Sequence, residues 1–143
     1  MEEGASGAEV ASYAPLKLLV QRTPGLLGAI VSDLEGVSVT CAVGSTCGEA
    51  ELALLKTTEA ASIAAELAEK LQMGRCKSVV TYLSTNVVVY FISPLLLVKL
   101  VAESHANVGL LLETVDDINK ITSDLVKILL ESQESAQSKG LDI

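Results

Sequence analysis

The side chains that could do chemistry are few, and their spacing does not suit it. Cys41, Cys47 and Cys76 are the only cysteines, and His105 is the only histidine. Structural zinc asks for four tetrahedral ligands, and catalytic zinc for three and a water; no Cys-x-x-Cys or paired histidine supplies either set. A thiol nucleophile would be Cys41 or Cys47 with His105 as base. That histidine lies far along the chain, with no orienting partner in the sequence. Reduced, structural thiols are the plainer reading. His105 itself sits in Ser104-His105-Ala106-Asn107, and reads as a loop or capping residue ahead of the last helix. Asp116 and Asp117 are adjacent, but helical neighbours point about 100° apart and do not converge as an acid–base pair. No phosphate-cradling loop, nucleophile elbow or His-Glu-x-x-His pair is present, and Gly25 and Gly28 form no dinucleotide fingerprint. The sequence therefore offers no catalytic residue, no cofactor-binding residue and no metal ligand set.

Composition narrows the partners. The 143 residues carry a net charge of −8, and the ten basic residues are scattered. Nucleic-acid binding needs clustered Lys and Arg, and adhesion to anionic lipid needs a polybasic run. Half of the residues are hydrophobic, yet there is no Trp and a single Phe, so the core must be aliphatic. One domain of this length buries roughly two-thirds of its unfolded surface. The N-terminus, Met1-Glu2-Glu3-Gly4, is acidic where a secretory signal would be basic, and neither end matches a lipidation motif. The most apolar stretch, Val87 to Val98, is interrupted by Ser93-Pro94 and stopped by Lys99. About 18 unbroken apolar residues would be needed to span a membrane. The expectation is a soluble intracellular protein with no direct membrane insertion, held at any membrane by something else.

Positioning elements follow from periodicity. A short helix runs from Pro15 to Arg22, stopped by Pro24-Gly25. Leu27 to Ser32 and Val37 to Val43 form a hairpin around Asp33-Leu34-Glu35-Gly36, with Val37, Val39, Cys41 and Val43 on one face. A long middle helix spans about Leu52 to Met73, rich in alanine on one side, with Gly74 closing it. Three strands follow: Ser78 to Ser84, Val87 to Ser93 and Leu95 to Ala102. The middle one of the three is apolar on both faces and so central in the sheet. A last helix starts at an Asn107 cap and carries Leu111, Val115, Ile118, Leu125 and Leu129 as its stripe, supported by Ile121 and Ile128. Residues 1–8 and 135–143 read as flexible tails around a single domain, 9–134.

Two stretches then bring a family into view. Ala29-Ile30-Val31-Ser32-Asp33-Leu34-Glu35-Gly36-Val37-Ser38-Val39 resembles the first hairpin of roadblock domains. Ala106-Asn107-Val108-Gly109-Leu110-Leu111 resembles the Asn-x-Gly-Leu start of their last helix. Within that superfamily the chain is most similar to the family of MEK-partner scaffold subunits of the Ragulator complex. That likeness extends through Lys77 to Tyr82 and Ser93 to Val98.

The resemblance implies an α+β fold of order α-β-β-α-β-β-β-α. Its five-stranded antiparallel sheet has the middle helix on one face and the two terminal helices on the other. It implies pairing through the middle helix and third strand, here Ala60, Ile63, Ala64, Leu67, Leu71, Val79, Thr81 and Leu83. It also implies a non-enzymatic scaffold that heterodimerises with a second roadblock-domain protein inside a larger Ragulator-like assembly. Such an assembly recruits Rag-type GTPases and supports TORC1 and MAP-kinase signalling at late endosomes and lysosomes, its membrane anchor lying on another subunit. Three other readings stay open at the level of sequence: a homodimeric roadblock regulator of a small Ras-like GTPase, a dynein light chain, and a thiol enzyme. Replacing Cys41, Cys47 and Cys76 together by Ser is expected to leave partner binding intact, as read by co-purification. Loss of function with the fold retained would favour the thiol reading.

Overall fold

A computed structural model describes residues 13–57 and 65–141. Helix α1 (Ala14–Arg22) leads into β1 (Leu26–Asp33) and β2 (Ser38–Val43), then α2 (Glu49–Leu55) and a short helical stretch α3 (65–69). Strands β3 (Ser78–Tyr82), β4 (Asn86–Ile92) and β5 (Leu96–Glu103) follow, then α4 (Val108–Glu113) and α5 (Val115–Leu141). The strands form one sheet in the order β2-β1-β5-β4-β3, every neighbouring pair antiparallel.

The three inner strands are buried on both faces. Ala29, Val31, Val89, Val98 and Leu100 face Leu16 and Leu19 of α1, Leu111 of α4, and Ile118 and Leu125 of α5. The alternate residues Ile30, Val88, Tyr90, Leu97 and Val101 face the opposite way, toward Leu55 of α2. This is the expected layering, with the terminal helices on one face and α2 on the other. The near-continuous apolar runs of β1, β4 and β5 are what a two-sided environment requires.

Local chemistry sets the turns. Asp33 Oδ1 accepts the amides of Glu35 and Val37, both at 2.9 Å, and Gly36 takes φ +98°, which closes the first hairpin. Gly25, at φ +81°, links α1 to β1, and a Cβ there would come within 3.0 Å of the Ala106 Cβ. Asn107 caps α4 by accepting the Leu110 amide at 3.2 Å.

Three details depart from the sequence reading. The first concerns β2, where Ser32 pairs with Ser38 and Val31 with Thr40, so Val39 is an extra residue in the ladder. That bulge shifts the parity of the strand. Val39, Thr40 and Ala42 are buried, whereas Val37 and Val43 are exposed and Cys41 is half-buried.

The second concerns the last helix, whose inner stripe runs Leu111, Thr114, Ile118, Ile121, Leu125. The expected single helix breaks here into α4 and α5, with Thr114 as the C-cap of α4; Thr114 rather than Val115 lies on the inner face, its hydroxyl donating to the Leu111 carbonyl at 2.6 Å. Val115 and Ile128 are exposed. The helix continues to Leu141, past Ser135, where composition predicts a tail.

The third is the middle helix. It is not continuous from Leu52 to Met73: α2 ends at Leu55, with Lys56 as its C-cap, and Thr57 is not helical.

Leu125→Ala is expected to cost about 2–5 kcal/mol in urea unfolding, since it leaves a cavity between α5 and the sheet. Ile128→Ala, on the exposed side, is expected to stay within about 0.5 kcal/mol of the parent. Equal effects would contradict an inner stripe that includes Leu125 and leaves out Ile128.

Candidate pairing interface

Strand β3 ends the sheet, and among the described residues no strand pairs with its outer edge; the Cys76 thiol donates to the Ser78 carbonyl there at 3.5 Å. Its hydrogen-bond phase follows from two contacts at its ends. Leu83 donates to the Asn86 carbonyl at 2.8 Å, and Ile92 donates to the Lys77 carbonyl at 2.9 Å. With Val79 opposite Tyr90 and Thr81 opposite Val88, the odd-numbered residues exchange bonds with β4. The backbone N–H and C=O groups of Ser78, Val80 and Tyr82 therefore point away from the sheet. Such an edge is a template for another strand.

Side chains divide by the same alternation. Val79 packs on the α2 face beside Ile92, and Val80 packs on the α1–α5 face. Thr81 shares the Val79 face and is half-buried. Tyr82 and Leu83 lie largely in solvent, Tyr82 at 70% exposure.

Upstream of β3 three large apolar side chains are uncovered. Leu67 on α3 is 60% exposed, Leu71 71% and Met73 88%. Leu71 lies beyond the end of the helix, contrary to the sequence expectation. The amides of Leu71 and Gln72 bond back three residues, to Ala68 and Glu69, and Gln72 takes φ +57°, so the helix closes before the expected Gly74. Ala60, Ile63 and Ala64 lie outside the described residues. Of the eight residues proposed from sequence, Val79, Thr81 and Leu83 belong to the edge strand and its turn, and Leu67 and Leu71 to the segment ahead of it. Sequence reasoning missed the outward-facing backbone groups of Ser78, Val80 and Tyr82. The only signal for them was the two-residue turn that fixes the phase of the β3–β4 hairpin.

The reactive residues do not assemble into a site of their own. Burial pushes the Cys47 thiol up, and the Glu51 carboxylate adds to it, the opposite of what activates a nucleophile. Among the described residues no three metal-ligating side chains gather. No described helix is long and apolar enough to cross a membrane.

A five-stranded antiparallel sheet in this order, with α2 on one face and the terminal helices on the other, defines a roadblock-type fold. Solved structures agree. The Roadblock/LC7 domain from Streptomyces avermitilis superposes with a TM-score of 0.60 at 16% identity, covering 78% of this chain and 95% of that one. MglB from Myxococcus xanthus gives 0.60 at 14%, covering 78% and 94%. The chain belongs to the family described as mitogen-activated protein kinase kinase 1 interacting, whose model matches residues 9–129. It is 33% identical over 103 residues to the Ragulator complex protein LAMTOR3-A of Xenopus laevis, covering 71% of this chain and 81% of that one. To the Ragulator complex protein LAMTOR3 of Rattus norvegicus it is 30% identical over 107 residues, covering 73% and 84%. Membership makes it a non-enzymatic subunit.

The edge geometry has a direct check. Thr81→Pro removes a β3–β4 ladder bond and is expected to cost about 1–3 kcal/mol more than Val80→Pro, whose lost N–H faces outward. Denaturant midpoints of the two variants measure the difference, and the reverse order would contradict the register.

Proposed function

We propose that this chain is a scaffold subunit that heterodimerises with a second roadblock-domain protein through its middle helix and the free edge of β3. The observation that carries the reading is the outward row of Ser78, Val80 and Tyr82 backbone groups, next in the chain to exposed Leu67, Leu71 and Met73. A second β3 laid antiparallel along this edge would continue the sheet across the pair and withdraw those groups and the apolar residues from water. Ala60, Ile63 and Ala64, being small or aliphatic, suit close helix contact in the same interface.

The relatives are named as Ragulator complex proteins. By that likeness the pair sits in a Ragulator-like assembly that recruits Rag-type GTPases and supports TORC1 and MAP-kinase signalling at late endosomes and lysosomes. The family description adds a mitogen-activated protein kinase kinase as a client. A net charge of −8 with scattered basic residues disfavours direct adhesion to anionic lipid, and this reading assigns the anchor to a partner subunit.

Ala64→Glu and Val80→Pro test the interface from its two sides. Each is expected to keep the far-ultraviolet dichroism of the parent and to lose co-purification with a co-expressed second roadblock protein. Retention of both partner and fold in both variants would place pairing elsewhere on the molecule.

A further inference from the structure

Lys99 is a cation inside the protein. It lies on β5 in the middle of the sheet and is 1% exposed. Its Nζ donates to the Leu54 carbonyl at 2.5 Å, the Leu55 carbonyl at 3.2 Å, the Thr57 carbonyl, and the Thr57 hydroxyl at 3.3 Å. It also stands 5.7 Å from the centre of the Tyr90 ring. These carbonyls are where α2 ends. A helix that ran on would offer them to the amides of Thr58, Glu59 and Ala61, four residues ahead in each case.

Beyond Thr57-Thr58 the sequence favours helix: residues 59–68 contain five alanines and two glutamates, and neither Gly nor Pro. Instead the last turn tightens. Lys56 and Thr57 donate back three residues, to Ala53 at 3.2 Å and Leu54 at 3.3 Å, and the Thr57 hydroxyl also reaches the Leu54 carbonyl at 2.9 Å. A positive charge at this place is also what the negative end of a helix favours. The ammonium is held by a strand that cannot shift, because Lys99 is registered between Ile30 and Tyr90.

We propose that Lys99 is a helix stop. By occupying the carbonyls of Leu54, Leu55 and Thr57, it ends α2 at Leu55. It thereby sets the C-terminal end of α2, making it a positioning residue for the pairing face. The stop itself is independent of the pairing reading; its consequence for the interface rests on that reading.

The test uses the full chain with Lys99→Met, which keeps the bulk and removes the charge. Amide hydrogen exchange is expected to show at least about tenfold greater protection at Thr58, Glu59 and Ala61 as the helix becomes continuous. Unchanged exchange there, or lost protection across Glu49–Leu55, would overturn the stop. Should the variant fail to fold, the wild-type ammonium decides. A slowly exchanging Lys99 Nζ signal with couplings to the Leu54 and Leu55 carbonyls supports the proposal, and an averaged solvent-like signal overturns it. Affinity for the co-expressed roadblock partner is expected to fall at least about tenfold in Lys99→Met. Unchanged affinity with a continuous helix would overturn the positioning role alone. Failure of the wild-type chain to pair would instead count against the interface and leave the exchange result standing.

Discussion

Strand β5 has apolar side chains on both faces, and this constraint organises the rest of the molecule. A strand covered on both sides needs a helix layer above and below, so α1 and α5 must close one face and α2 the other. Within it, Lys99 sets a sharper condition. A buried ammonium left without partners costs several kcal/mol, so something on the α2 face must bring acceptors to it. The carbonyl end of a helix does this with three oxygens and a favourable dipole. The charge on β5 and the end of α2 therefore fix each other.

The chain closes the middle of its sheet and leaves two edges. β1, β5 and β4 have neighbours on both sides, while β2 has only β1 and β3 only β4. Monomers commonly blunt such an edge with a charge, a proline or a bulge. In this chain the outward backbone groups belong to Ser78, Val80 and Tyr82, of which the Ser78 carbonyl is met by the Cys76 thiol, and the chain ahead of the strand also exposes Leu67, Leu71 and Met73. β3 itself carries no charge, proline or bulge. The same feature that would be a liability for a solitary protein is what a subunit needs, and it requires no catalytic group. The proposed pairing fits this division: an aliphatic body that holds its shape, and one edge that a second protein would complete.

Much of this was legible in the sequence, for physical reasons that differ by element. The period-two and fully apolar runs gave the strands, Pro24-Gly25 ended α1, and Asn107 marked the start of the last helix. The fold class came through because order and spacing together are more specific than any one motif. What was hidden depended on contacts between distant residues. A single extra residue at Val39 reversed the buried side of β2, which alternation alone cannot reveal. Thr114 lies on the inner face where the expected single helix breaks into α4 and α5, and the stripe passes it rather than Val115. The end of α2 was unreadable because the residues that follow favour helix, and the group bonded to its last carbonyls lies more than forty residues away on β5. In the proposed interface, side-chain character pointed to the β3 region, while the phase of the outward backbone groups needed the hairpin register.

The central claim, that this fold is one half of a pair, is tested most directly by mass in solution. Light scattering after size exclusion would be run on the chain alone and on the chain co-expressed with a second roadblock-domain protein. The chain alone is expected to be a monomer or a poorly behaved sample, and co-expression to give a stable one-to-one complex. A clean homodimer that ignores the second protein would contradict the heterodimer, and a well-behaved monomer under both conditions would contradict pairing altogether.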